Sequence, residues 1–294
     1  MTPIVLEEGT GRAEVVREGA ELRFWSVRGM PLLWDPDPAI WPDVAPILFP
    51  VVGWTKGGGV IVDGVRYPLG LHGFARHRTF EVLEQWPAHV RLQLVADDET
   101  RALYPFDWSL EVSYALDGPV LDVGLTVRNL GGRPMPYACG LHPGFRWPFA
   151  AGGPADYSIQ FGDRELGLVP IITKEGLFTR QTRRLQLDGR RLPLSPALFE
   201  AEALCFLEPR DRRIRFAHPS GAGIALQLEN FPYAALWSRP AGRFLSIEAW
   251  TGHGDYVDAD GDLYRKESMR HLPPGGAAEH KAKFSFVRPH LLFR

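Results

Sequence analysis

The chain has 294 residues, 45% hydrophobic and 23% charged, with a formal net charge of −2. That is ordinary globular composition, and without a basic surplus it lacks the electrostatic footprint of a nucleic-acid binder. Two cysteines, Cys139 and Cys205, cannot build a disulfide framework and point to a reduced, cytoplasmic setting. Residues 1–10 carry no basic segment followed by an apolar one, so no signal peptide is expected. The apolar run 46–54 is too short to span a bilayer and holds two prolines, so no membrane partner is expected.

In chain order, residues 60–67 read as a hairpin around Asp63-Gly64, and residues 90–95 alternate apolar with polar. Residues 97–103 have room for one or two helical turns at most. The run Trp108-Ser109-Leu110-Glu111-Val112-Ser113-Tyr114 alternates with period two, Asp117-Gly118 signals a turn, and residues 121–127 alternate again. Residues 224–228 and 281–287 behave alike. Thirty-one glycines and twenty-six prolines punctuate the chain, and no stretch keeps a long 3.6-residue period. The pattern predicts an all-β sandwich or barrel of many strands. No repeat, linker or low-complexity tract appears, so residues 1–294 read as a single domain. Residues 151–154 read as a loop, 273–276 as a turn before the last strand, and 288–294 as a short tail that packs or frays.

Three segments carry chemistry. They are Leu71-His72-Gly73-Phe74-Ala75-Arg76, Gly140-Leu141-His142-Pro143-Gly144-Phe145, and Ser246-Ile247-Glu248-Ala249-Trp250-Thr251-Gly252. Each histidine alone is better read as structural. Two imidazoles with one carboxylate point instead to proton transfer on a polar, ring-shaped substrate, because these groups move protons near neutral pH. Trp237 and Phe145 are candidates for stacking on the apolar face of a sugar, with core packing the alternative for each. Trp250 and Phe74 are expected in the core. Cys139, three residues before His142, is expected to be a small buried hydrophobe rather than a nucleophile. Asp258-Ala259-Asp260-Gly261-Asp262 with Glu267 partly resembles a calcium loop, but the first ligand position falls on Tyr256, so a solvated acidic turn is expected. Lys56-Gly57-Gly58-Gly59 lacks the order of a phosphate loop, and the other histidines lack metal-ligand spacing. Neither a metal nor a cofactor is expected.

Further motifs fall in a fixed order: Pro46-Ile47-Leu48-Phe49-Pro50-Val51-Val52-Gly53, the His72 segment, Tyr104-Pro105-Phe106, Met135-Pro136, the His142 segment, Phe231-Pro232-Tyr233, Trp237-Ser238 and the Glu248 segment. This order resembles the aldose 1-epimerase (galactose mutarotase-like) family, and within it the LacX-like branch. The resemblance implies a β-supersandwich and a cofactor-free interconversion of the α and β anomers of an aldose. It implies Glu248 as general base at the C1 hydroxyl, His142 as general acid at the ring oxygen, and His72 as a hydrogen-bonding partner beside them. Much of the family has a sugar-binding arginine where this chain has Trp54; Arg76 is the candidate to replace that contact. Glu202 is the nearest match to the family's sugar-binding aspartate. A hexose-6-phosphate mutarotase, with Arg146 or Arg239 joining Arg76 on the phosphate, stays open, as does a non-catalytic sugar-binding module. The partner expected is a small sugar, and the oligomeric state is left open.

Overall fold

The longest alternating run in the sequence forms the centre of the fold. In the computed structural model, which describes residues 2–287, strands Trp108–Asp117 and Val120–Asn129 pair antiparallel with Asp117 opposite Val120. The turn is therefore Gly118-Pro119, one residue later than the Asp117-Gly118 signal suggests. Gly118 takes φ +52°, and proline holds the negative φ that a II′-type turn needs at its second position. Along the first strand Trp108, Leu110, Val112, Tyr114 and Leu116 are buried, as period-two alternation dictates. Each fully buried large side chain contributes on the order of 1.5–3 kcal/mol.

This hairpin lies in a nine-stranded sheet. Its order is Arg191–Pro193, Ser158–Phe161, Arg213–Ala217, Gly223–Glu229, Ala277–Val287, Val120–Asn129, Trp108–Asp117, His89–Val95 and Glu81–Trp86. The alternating segments anticipated above all fall here, and the hairpin around Asp63-Gly64 forms separately as Gly59–Val62 with Val65–Pro68. One short helix, Asp98–Arg101, falls in the segment given room for it. The Asp97 side chain caps it by accepting from the Thr100 backbone N–H at 2.7 Å.

A six-stranded sheet carries Leu204–Phe206, Tyr233–Trp237, Phe244–Trp250, Gly140–Leu141 and Ile47–Leu48 in that order, with Gly144–Arg146 also paired to Phe244–Trp250. Phe284 of the nine-stranded sheet touches Trp25 and Phe145, so a single apolar core joins this sheet to the larger one. Phe145 is fully buried there. That corrects the expectation that it stacks on a ligand: its ring is enclosed by the inter-sheet core. Among the described residues no helix is long and apolar enough to cross a membrane. The tail 288–294 lies outside the described residues.

Candidate active site

Strand Phe244–Trp250 is buried along its whole length. Its odd positions, Leu245, Ile247 and Ala249, are apolar, whereas its other face reads Phe244, Ser246, Glu248, Trp250. The flanking strands fix what meets that face. Gly140 pairs with Trp250, Leu141 with Ala249, and Gly144 with Ser246. The same register carries through the break, so His142 falls opposite Glu248. Directly opposed residues of an antiparallel pair share a face, and His142 Nε2 lies 3.3 Å from Glu248 Oε1. On the other side Glu248 is paired with Ala235.

Two glycines in the His142 segment make room for aromatic supports. A Cβ on Gly140 would come within 2.9 Å of the Trp250 ring, and one on Gly144 within 2.5 Å of Trp41. The Trp250 indole N–H donates to Glu248 Oε2 at 2.9 Å. Trp41 packs 5.2 Å from the His142 ring, and Trp237 stands edge-on to it at 5.4 Å. Behind the imidazole, His142 Nδ1 is 2.9 Å from Ser246 Oγ, which also lies 3.1 Å from the Pro143 carbonyl.

His72 arrives on a different element. It holds φ +62°, followed by Gly73 at +70°. Any side chain at position 73 would run into the Phe49 carbonyl, so a glycine has to follow this histidine. The strained turn is fastened to the chain at Gly53: the Gly53 N–H donates to His72 Nδ1 and the His72 N–H to the Gly53 carbonyl, both at 3.1 Å. The ring then stands 5.5 Å from His142, nearly perpendicular to it.

Burial dominates the electrostatics. It pushes the Glu248 carboxyl well above its usual range, with the Trp250 hydrogen bond opposing. It pulls His142 down to about 3, and it lowers His72 well below its usual value, helped by His142 and Arg76. Strongly perturbed groups converging in a cleft make it the candidate functional site.

The cleft encloses about 380 Å³, within the range of small-molecule sites. Glu248, His142, His72, Arg76, Glu202, Trp237 and Trp54 all line it. Arg76 sits at the rim, 3.4 Å from Asp43. Trp54 is 43% exposed and packs on Gly176, where a Cβ would overlap its ring. Glu202 has its carboxyl raised by burial, with Arg239 opposing. Arg239 lines the cleft too, whereas Arg146 turns its guanidinium onto the Leu33 carbonyl. Phe145 is absent from the walls, in keeping with its place in the core. Trp41, Lys174 and Cys205 line the cleft although nothing in their local sequence distinguishes them. Trp250 is buried as expected, but its indole also holds the carboxylate. Cys139 is buried, and its thiol is pushed up to about 12.

A larger depression of about 620 Å³ on the nine-stranded sheet is lined by Arg191, Arg213, Arg215 and Lys283. It holds no acid–base pair. In the acidic turn, Arg180 bridges Asp258 and Glu267, and Arg265 pairs with Asp260 and Asp262. Among the described residues no group of three or more His, Cys, Asp or Glu side chains could hold a metal ion.

Both the sequence and the fold have relatives among known proteins. The sequence model of the family Aldose 1-epimerase matches residues 3–260. The plasmid-encoded protein LacX of Lactococcus lactis subsp. lactis is 31% identical over 257 residues, 84% of this chain and 86% of that protein. A solved galactose mutarotase related enzyme from Lactobacillus acidophilus superposes with a TM-score of 0.91 at 27% identity, covering 98% of both chains. A galactose mutarotase-like protein from Lactobacillus casei superposes with a TM-score of 0.91 at 26% identity, covering 97% of this chain and all of that one.

Proposed function

The chain belongs to the aldose 1-epimerase family, and from that premise we propose that it is a mutarotase interconverting the α and β anomers of a free aldose by opening and closing the sugar ring. The observation that carries this reading is the His142–Glu248 pair, 3.3 Å apart on the cleft face of one sheet with His72 beside it. Ring opening removes a proton from the C1 hydroxyl and adds one to the ring oxygen as the bond between C1 and the ring oxygen breaks and the C1 carbonyl forms. It therefore needs a base and an acid at one anomeric centre, and groups so positioned contribute about 10² to 10⁴-fold each. Glu248 takes the C1 hydroxyl proton, His142 protonates the ring oxygen, and His72 donates a hydrogen bond beside it. After rotation about C1–C2 the same groups act in reverse. Trp237 and Trp54 offer faces for the sugar ring, and Arg76 and Glu202 offer polar contacts for its hydroxyls.

A second reading has one observation in its favour. Arg76, Arg239 and Lys174 all line the cleft, and guanidinium and ammonium groups are the usual holders of a phosphate. On that reading the sugar carries a phosphate at its far end and the chemistry at C1 is unchanged.

One experiment tests both. Freshly dissolved α-glucose and α-galactose are followed to anomeric equilibrium by polarimetry, with and without the protein, and glucose 6-phosphate is followed by NMR exchange. Acceleration of a free sugar that is lost in Glu248→Gln supports the first reading. Acceleration of the phosphate alone moves the assignment to the second. Sugar binding without any acceleration overturns both in favour of a non-catalytic binding module.

A further inference from the structure

Strand Phe244–Trp250 carries Ser246, Glu248 and Trp250 on one face, and the hydrogens of the outer two leave little freedom to the protons between them. We propose that Ser246 and Trp250 are positioning residues that hold one shared proton between Glu248 Oε1 and His142 Nε2, and that His142 and His72 stand in opposite tautomers. The inference rests on the mutarotase reading for its consequence, but not for its geometry.

The assignment follows from counting donors. A carbonyl only accepts, and an indole N–H only donates. Ser246 has a single hydroxyl hydrogen and two neighbours, the Pro143 carbonyl and His142 Nδ1. The hydroxyl donates to the carbonyl, so its oxygen accepts from Nδ1–H. In the neutral ring this leaves Nε2 bare, facing Glu248 Oε1 at 3.3 Å. Trp250 donates to Oε2, which makes Oε2 an acceptor and leaves Oε1 as the oxygen that carries a proton. At His72 the pattern is reversed. Nδ1 accepts the Gly53 backbone N–H, so the hydrogen sits on Nε2. One imidazole is thus a fixed donor and its perpendicular neighbour a fixed acceptor.

The consequence is a pair that enters and leaves ring opening with the same proton count. Transfer from Oε1 to Nε2 converts the neutral pair to carboxylate and imidazolium. Oε1 then takes the C1 hydroxyl proton, Nε2 gives its proton to the ring oxygen, the C1–O bond breaks and the C1 carbonyl forms. The pair ends neutral again, so no proton need be exchanged with water. The charged and titratable groups that share the cleft with it are His72 and Arg76 from the 72–76 segment, Cys205 from the far strand, and Asp43, Lys174, Glu202 and Arg239 on the other walls. Trp41 and Trp237 supply uncharged walls.

The test is nitrogen-15 NMR of the intact, histidine-labelled protein at neutral pH. The expected spectrum shows His142 protonated at Nδ1 and bare at Nε2, with His72 the other way round. Ser246→Ala should shift His142 toward the Nε2–H form and lower kcat about tenfold, the worth of one well-placed hydrogen bond, with KM nearly unchanged. Ser246→Thr should restore both. Trp250→Phe should leave the tautomers in place and move the alkaline limb of the pH–rate profile upward, because the indole bond favours the carboxylate. A wild-type spectrum with His142 protonated at Nε2 overturns the proposal, as does Ser246→Ala with wild-type spectrum and kcat. Opposite tautomers in a protein that accelerates no sugar would instead sink the mutarotase reading and leave the proton assignment standing.

Discussion

Two buried strand faces in this molecule make opposite use of the same geometry. Along Trp108–Asp117 the inward face is Trp108, Leu110, Val112, Tyr114 and Leu116, apolar apart from the Tyr114 hydroxyl, which is bonded to the Ala20 carbonyl, and the Trp108 indole N–H, which is buried without a partner among the described residues. Along Phe244–Trp250 the cleft face is Phe244, Ser246, Glu248 and Trp250, just as deeply buried but holding a carboxyl that burial drives out of its usual range. The first face stabilises the fold in proportion to the apolar area it removes from water. The second gives up stability to keep a carboxyl and an imidazole side by side in a dry setting, a cost that the proposed mutarotase chemistry would explain. Separate variants should therefore uncouple the two.

The largest expected effect is at Glu248. Glu248→Gln removes the base, and turnover should fall by about 10³-fold or more, read by polarimetry. The amide is isosteric: its oxygen can accept from Trp250 and its NH₂ can donate to a bare His142 Nε2. Folding should therefore improve. A carboxyl whose folded pKa is raised favours folding at pH values below its usual range and loses that contribution as pH rises through the raised value. The gain in Tm should thus be near zero in acid and on the order of a few degrees at neutral pH. A variant both inactive and less stable would break the comparison.

The opposite case is Leu110→Ala, a cavity in the apolar face. It should cost about 2–5 kcal/mol in a denaturant titration while kcat per folded molecule stays within about twofold, because Leu110 lines no part of the cleft. Loss of kcat in fully folded protein would mean that the larger sheet tunes the site.

How far each face could be read in advance differs for the same reason. The long hairpin showed in its alternation, because ten-residue strands leave a period to count. Strands Ile47–Leu48 and Gly140–Leu141 are two residues long and leave none. His72, His142 and Glu248 stood out through glycine and aromatic neighbours, and those glycines prove to be clearances for Phe49, Trp250 and Trp41. Trp41 and Lys174 were invisible because each reaches the cleft from a loop whose path depends on tertiary packing. The sequence leaves Phe145 open between sugar stacking, suggested by its place beside His-Pro-Gly, and core packing; strand alternation decides for the core by sending its ring, opposite Leu245, to the other side of the sheet. Trp250 is core by its sequence and by its burial, but only its place two residues along the same strand face brings its N–H to Glu248.

A pH titration of stability sharpens the comparison next. Burial holds His142 at about 3, against a usual 6.5. Its neutral ring favours folding above the usual value, and that contribution is lost as pH falls from 6.5 toward 3, where the unfolded chain takes up a proton the folded one refuses. Denaturant midpoints should drop across that window in the wild type and drop less in His142→Asn. Equal acid sensitivity in the two proteins would place the loss elsewhere, with His72, held well below its usual value, and His253 and His280, both held at about 4, the next groups to replace.

The smallest expected effect is at Cys139, and it separates burial from function most cleanly. Cys139 lies three residues before His142, so proximity in sequence alone would make it a nucleophile. Its backbone N–H donates to Thr251 Oγ1 at 2.8 Å, its thiol is buried and pushed up to about 12, and it lines no part of the cleft. A thiol so protonated is a poor nucleophile and packs as a small apolar group. Cys139→Ala should therefore keep kcat within about twofold and cost at most about 1 kcal/mol, the range of modest core changes. Loss of turnover in a stably folded Cys139→Ala would show that the machinery extends behind the sheet, and that the proton pair does not act alone.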